Sequence, residues 1–254
     1  MSDTKNQLAV VVLAAGKGTR MKSDLPKVLH PLAGRPMIDW VVDLAQEMGA
    51  VKTVVVVGHK AEMVQEHLAG RTGLAFALQQ PQRGTGHAVM AAAPELVGFA
   101  GQVLILYGDV PGLRRSTAKG LVDRQLAQGN DQSVLAIDVD PPPAYGRLIL
   151  DPAGRLTRIV EERDASEEEK KITLVSSGIF VFRGAPLWEC LPLLSTDNDQ
   201  NEYYLTDLAA FFAQRGYQVG YAVAPDPKEL QGINSREELA MMEDRWAATG
   251  GKED

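Results

Sequence analysis

The chain of 254 residues is 45% apolar and 23% charged with a formal charge of −7, an ordinary balance for a water-soluble protein long enough to bury a substantial core. The acidic balance argues against general nucleic-acid binding, because a phosphate backbone attracts a basic face, and Cys190, the only cysteine, excludes an intrachain disulfide or a thiolate metal site built from this chain alone. No apolar run approaches membrane-spanning length, and the polar, acidic start MSDTKNQ lacks the basic and apolar segments of a secretory signal; a cytoplasmic protein with no membrane partner is expected.

The first apolar run, Leu8–Leu13, reads as a buried parallel strand. It stops at Ala14 and Ala15, and Gly16 and Gly18 follow with the cations Arg20, Lys22 and Lys27. Glycines directly after a strand let the backbone turn sharply with its N–H groups exposed, a geometry that cradles phosphate. Two familiar phosphate loops are excluded. The dinucleotide fingerprint needs Gly or Ala where Met21 stands and an acidic residue after the second strand, which here runs VVVV into Gly58. A Walker A loop needs Gly before Lys22-Ser23, and that residue is again Met21.

Helix and strand patterns then alternate: helix Met37–Met48, strand Thr53–Val57, helix Ala61–Leu68, strand Ala75–Leu78, helix Gly86–Ala93, strand Val103–Leu106, helix Thr117–Ala127 and strand Ser133–Ile137. This alternation predicts a doubly wound, mostly parallel α/β sheet with helices on its faces. After Asp140 the texture changes. A stiff PPP run at 141–143 precedes RLILDPAGRLTRIVEE, which reads as two strands around a Pro-Ala-Gly turn. A long apolar segment, Ile172–Phe182, and helices over Leu205–Arg215 and Ser235–Trp246 complete a mixed-sheet extension, with capping-box spacing between Ser235 and Glu238. The charged run Glu161–Lys171 is expected to be a solvated loop or helix, and the closing GGKED to be disordered. With no repeat and no Gly/Ser-rich linker, residues 1–254 are expected to form one domain with lobes over about 7–140 and 141–234 and a C-terminal helix over about 235–247.

Ligands of open α/β sheets bind beyond the carboxyl ends of the strands, which draws attention to Asp109 in LILYGDVP, with Gly108 before it for close backbone approach. Mg²⁺ takes one or two carboxylates together with substrate phosphates and water. Alone, Asp109 fits a metal-binding carboxylate and a plain Gly-Asp turn equally well.

The order of these residues, L-A-A-G-x-G-T-R-M followed by P-K, resembles the signature of the sugar nucleotidyltransferases, and with it the nucleotide-diphospho-sugar transferase fold. Further segments, LQQPQRGTGHA, LYGDVP, YGR, IVEE, NEYYLTD and GIN, extend the likeness from Leu13 to Asn234 and make it strongest to the uridylyltransferase half of the bifunctional bacterial enzymes that make UDP-N-acetylglucosamine. The resemblance implies that Leu13, Ala14, Ala15, Gly16, Arg20 and Lys27 face a triphosphate, that Gln79 meets the uracil edge, and that Gly84 and Thr85 close the base pocket. It implies that Asp109 and Asn234 hold Mg²⁺ or a similar divalent cation such as Mn²⁺, that Tyr107 and Gly108 line the cleft, and that Gly146, Glu161 and the residue at 176 contact the sugar. The catalytic group would be Arg20, Lys27 and Asp109. Read without the resemblance, Gln79 is a strand-end polar residue, Thr85 a helix cap, Glu161 a surface glutamate and Asn234 a turn residue ahead of Ser235.

One position departs from the pattern. The family has Asn-Thr-Gly where this chain has Ser176-Ser177-Gly178, which removes an amide donor from the sugar side and leaves the identity of the sugar open. The implied reaction condenses UTP with N-acetylglucosamine 1-phosphate, giving UDP-N-acetylglucosamine, a cell-wall precursor, and pyrophosphate. Transfer to another sugar phosphate, use of another base, a cofactor precursor such as molybdopterin as acceptor, and a non-catalytic nucleotide-sugar sensor stay as alternatives. Since no hexapeptide repeat of the bifunctional enzymes' acetyltransferase half is present, acetyl transfer is not expected and a monomer is.

Overall fold

The computed structural model describes residues 6–249; the closing GGKED lies outside them. Every residue of the first strand, β1 (Leu8–Leu13), is buried. Side chains alternate across a sheet, so Leu8, Val10 and Val12 enter one apolar core while Ala9, Val11 and Leu13 enter another. A strand with a core on each face needs a helical layer on each face.

A small hairpin, β2 (Pro31–Leu32) and β3 (Arg35–Pro36), leads into α1 (Met37–Glu47). The alternation then proceeds through β4 (Lys52–Val57), α2 (Ala61–Leu68), β5 (Leu74–Leu78), α3 (Thr85–Ala92), β6 (Gln102–Tyr107), α4 (Arg115–Gln128) and β7 (Gln132–Asp138), close to the predicted bounds. The second half supplies β8 (Arg147–Leu150), β9 (Leu156–Val160), β10 (Leu174–Arg183), α5 (Gly184–Cys190), α6 (Leu208–Gln214), β11 (Val219–Val223) and α7 (Arg236–Thr249). The predicted helix over 205–215 begins as a 3-10 turn, Leu205–Asp207, and the charged run at 161–171 forms turns closed by a 3-10 turn, Glu169–Lys171.

Among the described residues nine strands make one mixed sheet in the order β11-β7-β10-β6-β1-β4-β5, with β8 on β10 and β9 on β8. Pairings around β1 and β4 are parallel, as is β11 with β7, whereas β10 runs antiparallel to both β6 and β7. From β1 the chain moves outward to β4 and β5 and then returns to β6 on the other side of β1. Such a reversal opens a crevice at the carboxyl ends of the strands. α1, α2 and α4 cover one face and α3, α5 and α6 the other.

Two local features shape that crevice. In β10 the register shifts between Ser176 and Phe180, and Gly178 takes φ +83° with the Tyr107 ring so close that a β-carbon there would lie 3.0 Å from it. The serine hydroxyls serve the displaced backbone: Ser176 Oγ accepts from Gly178 N–H (3.1 Å), and Ser177 Oγ accepts from Ile179 N–H (3.2 Å). The second feature is α7, which packs back onto the hairpin through Leu32, Met37, Ile233, Met242 and Trp246, with Trp40 and Trp246 edge to face at 4.9 Å. Burial of these large side chains, each contributing ~1.5–3 kcal/mol, fixes α7 beside the hairpin.

Candidate functional site

The Gly-rich loop leaves β1 through a 3-10 turn, Thr19–Met21, anchored by the fully buried Met21. Gly18 has φ +60°, and a β-carbon there would lie 2.6 Å from Lys27 Cβ. Only glycine lets the loop pass against Lys27 at that distance. Lys27 begins the next 3-10 turn, behind Pro26, and its ammonium forms an ion pair with Asp109 and donates to Asn234 Oδ1 at 3.0 Å. Asp109 follows β6, its carbonyl accepting from Ile233 N–H at 2.8 Å. Residues 27, 109 and 234, far apart in sequence, therefore meet at one point.

Two adjoining cavities open beside that point. The first, about 290 Å³, is lined by Leu13, Ala14, Ala15, Gly16, Lys27, Gln79, Gly84, Thr85, Tyr107 and Asp109 together with Val28, Gln82, Ala88 and Glu202. The second, about 270 Å³, takes Gly146, Glu161, Ser176 and Asn234, and shares Thr85, Tyr107 and Asp109 with the first. Gly108 lines neither: its α-carbon faces Val28, Ile38 and Ala14. Arg20 lies exposed on the 3-10 turn, outside both linings.

Gln79 is almost fully buried after β5, and its Nε2 donates to the Gly84 carbonyl at 2.9 Å. Thr85 does not cap α3; Gly84 stands at that position, and the Thr85 hydroxyl accepts instead from Leu205 N–H at 3.1 Å. Gly86 N–H donates to the Tyr203 carbonyl and Tyr203 N–H to the Arg83 carbonyl, both at 2.8 Å. The 202–206 segment thus borders both cavities, Glu202 lining the first and Leu205 and Thr206 the second, and Thr206 Oγ1 also donates to Glu161 Oε1 at 2.8 Å. Neither Tyr203 nor Thr206 was singled out from sequence, although both lie in the NEYYLTD segment.

The electrostatics differ between the two sides. Burial, and then the charges of Glu161 and Asp109, push the Tyr107 phenol well above its ordinary value, so it stays a neutral hydroxyl between the cavities. Burial also raises the Glu161 carboxyl, helped by Asp164 and opposed by the Thr206 hydrogen bond. Behind it Asp207 is pushed up to about 6 by burial and by Glu161 and Asp164. The buried Arg147 shapes the wall of the second cavity by donating to the carbonyls of Pro143 (2.9 Å), Tyr145 and Lys170 (3.1 Å).

The oxygen donors at the centre suit a hard cation. The Asp109 carboxylate and the Asn234 amide oxygen already converge on one cationic atom, Lys27 Nζ. Among the described residues no group of three or more His, Cys, Asp and Glu side chains could hold a metal, so a Mg²⁺ here would complete its shell with phosphate oxygens and water. No helix of the described residues is long and apolar enough to cross a membrane.

Comparison with known proteins follows the same lines. The chain is 48% identical over 233 residues to the bifunctional protein GlmU of Geobacter metallireducens, covering 92% of this chain and 49% of that protein. It is 49% identical over 233 residues to the GlmU of Pelobacter propionicus, covering 92% and 51%. The chain spans about half the length of the curated relatives it matches. The crystal structure of UDP-glucose pyrophosphorylase complexed with UDP-glucose shares the fold, with a TM-score of 0.75 at 18% identity over 96% of this chain and 99% of that one. The model of the MobA-like NTP transferase domain matches residues 10–172, more than half of the sequence, and the chain belongs to that family.

Proposed function

We propose that this chain transfers the uridylyl group of UTP to N-acetylglucosamine 1-phosphate, giving UDP-N-acetylglucosamine and pyrophosphate. The observation that carries the reading is the meeting of Lys27, Asp109 and Asn234 at the junction of two cavities that share Thr85, Tyr107 and Asp109. A two-substrate phosphoryl transfer needs such a junction: one pocket for the nucleotide, one for the acceptor, and charge neutralisation where they meet. The sequence resemblance supplies the base and the sugar.

An oxygen of the sugar 1-phosphate attacks the α-phosphorus of UTP in line with the leaving pyrophosphate; one P–O bond forms as the other breaks. The phosphate monoester is already an anionic nucleophile, so no side chain has to remove a proton and no covalent enzyme intermediate arises. A divalent cation held by Asp109 and Asn234 would neutralise phosphate charge when bound. Lys27 supplies fixed positive charge beside it, the Gly16–Gly18 backbone presents N–H groups to the triphosphate, and Arg20 stands on the same loop to approach the pyrophosphate end. On the acceptor side, the Glu161 carboxylate, held by Thr206, accepts from sugar hydroxyls. Gln79 and Thr85 select the base, since a buried polar pocket rejects partners that leave it unpaired. We place this reaction in the cytoplasm.

Pyrophosphate release by the purified protein with Mg²⁺ and UTP, comparing N-acetylglucosamine 1-phosphate with glucose 1-phosphate, tests the reading. Faster release with the acetylated sugar supports it. Release only with another sugar phosphate keeps the reaction and discards the sugar. No release with any acceptor leaves the nucleotide-sugar sensor.

A further inference from the structure

The turn that begins α7 reaches both the junction of the cavities and the Gly-rich loop. Ile233 N–H donates to the Asp109 carbonyl (2.8 Å), the Asn234 amide oxygen accepts from Lys27, and Asn234 N–H donates to Glu238 Oε2 (2.5 Å). Ser235 Oγ accepts from Glu238 N–H at 3.2 Å, so the cap that starts the helix also fixes the Asn234 backbone. The next residue reaches furthest. Arg236 Nε donates to the Met21 carbonyl at 3.1 Å, and its Nη2 donates to the Lys22 carbonyl at 3.3 Å.

Those two carbonyls end the 3-10 turn that carries Arg20, where the backbone has no further turn to accept and Lys22 takes the left-handed φ of +46°. One planar guanidinium thus grips two successive carbonyls of the Gly-rich loop. Apart from the buried Met21 and the close approach of Gly18 to Lys27, the loop faces solvent: Gly16, Lys17, Thr19, Arg20 and Lys22 are exposed.

We infer that Arg236 is a positioning residue for nucleotide binding, clamping the Gly-rich loop to the helix turn that presents Asn234. The inference rests on the function proposed above and extends it. The clamp ties the loop that would face the triphosphate to the residue that would hold the cation, so both are set before the nucleotide arrives and its ordering cost falls. Arg236 itself lines neither cavity.

The test compares Arg236→Met, which keeps much of the length of the side chain and removes its donors, with Arg236→Lys, which keeps the charge but carries its donors on a single nitrogen. In the ligand-free protein, trypsin should cut after Lys17, Arg20 or Lys22 about fivefold faster in Arg236→Met, with the thermal midpoint unchanged. In pyrophosphate-release assays the KM for UTP should rise about five- to tenfold, the effect of losing one or two hydrogen bonds to a charged group at an exposed position. The KM for N-acetylglucosamine 1-phosphate should move less than twofold, and Arg236→Lys should recover part of the loss. Unchanged loop cleavage, or equal rises in both KM values with a lowered thermal midpoint, overturns the clamp. If the wild-type protein releases no pyrophosphate, the proposed reaction fails, while the comparison of cleavage rates still decides whether Arg236 holds the loop.

Discussion

The two cavities share a wall and differ in how they are made. The first cavity hangs from the ends of parallel strands: β1 leads to Leu13–Gly16, β5 to Gln79, and β6 to Tyr107 and Asp109. The second cavity is assembled from the antiparallel extension and from two distant returns of the chain, with Gly146 before β8, Glu161 after β9, Ser176–Gly178 at the irregularity of β10, Leu205–Thr206, and Gly232 with Asn234. Their charges differ too. Lys27 and the exposed cations of the loop stand on the first side, and Glu161, Asp164 and Asp207 gather on the second. On the proposed reading, one cavity is built to meet phosphate charge and the other to meet hydroxyls, and Asp109 belongs to both.

The residue at the junction should give the largest effect. Asp109→Asn preserves shape but removes the charge that pairs with Lys27 and would bind the cation. Turnover should fall by about 10²-fold or more, at saturating concentrations of both substrates. The protein should stay folded, with a stability loss of about 3 kcal/mol, the lower end for a buried pair that loses one partner, because both side chains keep some solvent contact. Wild-type pyrophosphate release by Asp109→Asn would remove the junction from the mechanism.

A change confined to the second cavity should separate the two. Glu161→Gln keeps the volume and leaves an oxygen for Thr206, yet gives up the anionic acceptor. We expect the KM for the sugar phosphate to rise about tenfold, the worth of one hydrogen bond to a charged group, with the KM for UTP little changed. Equal changes in both constants would mean that the cavities are not functionally distinct.

The same contrast governs what the sequence reveals. The first cavity is local: β1, its glycines and Lys27 fall within twenty residues, Leu8 to Lys27, and strand ends predicted from apolar runs place Gln79 and Asp109 directly. The doubly wound half was legible for the same reason, because a strand buried on both faces is an uninterrupted apolar run. Tertiary partners, in contrast, leave no periodic trace. β11, VGYAV, escaped because it is a short, half-buried strand, and α5 because GAPLWEC carries both Gly and Pro in seven residues. Thr85 looked like a cap on local grounds; its hydroxyl is taken by Leu205 N–H, 120 residues away. Arg236 gave no signal at all, since its partners are backbone carbonyls.

The acidic side should also show itself in stability. Asp207, pushed up to about 6 when folded, has an ordinary value of 3.8, so between those values the folded state binds more protons than the unfolded. Stability is then greatest at the acidic end of that window and falls as pH rises through 6. Partial exposure screens the effect to ~1–2 kcal/mol, below the full linkage value. Denaturation midpoints measured from pH 4.5 to 7.5 should fall more steeply for wild type than for Asp207→Asn. Parallel curves would mean that Asp207 titrates as an ordinary carboxyl.

The smallest expected effect addresses the departure at Ser176. In the structure its hydroxyl is not idle, because it accepts from Gly178 N–H and so supports the turn in β10 beneath Tyr107. Any replacement has to keep that support. Asparagine can: its side-chain oxygen accepts from the N–H two residues on, as in an Asx turn, and its NH₂ group is then left to face the cavity as a donor that serine lacks. Ser176→Asn should therefore fold as well as wild type and tighten N-acetylglucosamine 1-phosphate about threefold, a fraction of a neutral hydrogen bond because water already fills part of that role. Calorimetric titration with the sugar phosphate measures this directly. Weaker binding together with an unchanged thermal midpoint would show that the sugar-side wall is fitted to serine, and the acceptor would then have to be sought among sugar phosphates other than N-acetylglucosamine 1-phosphate.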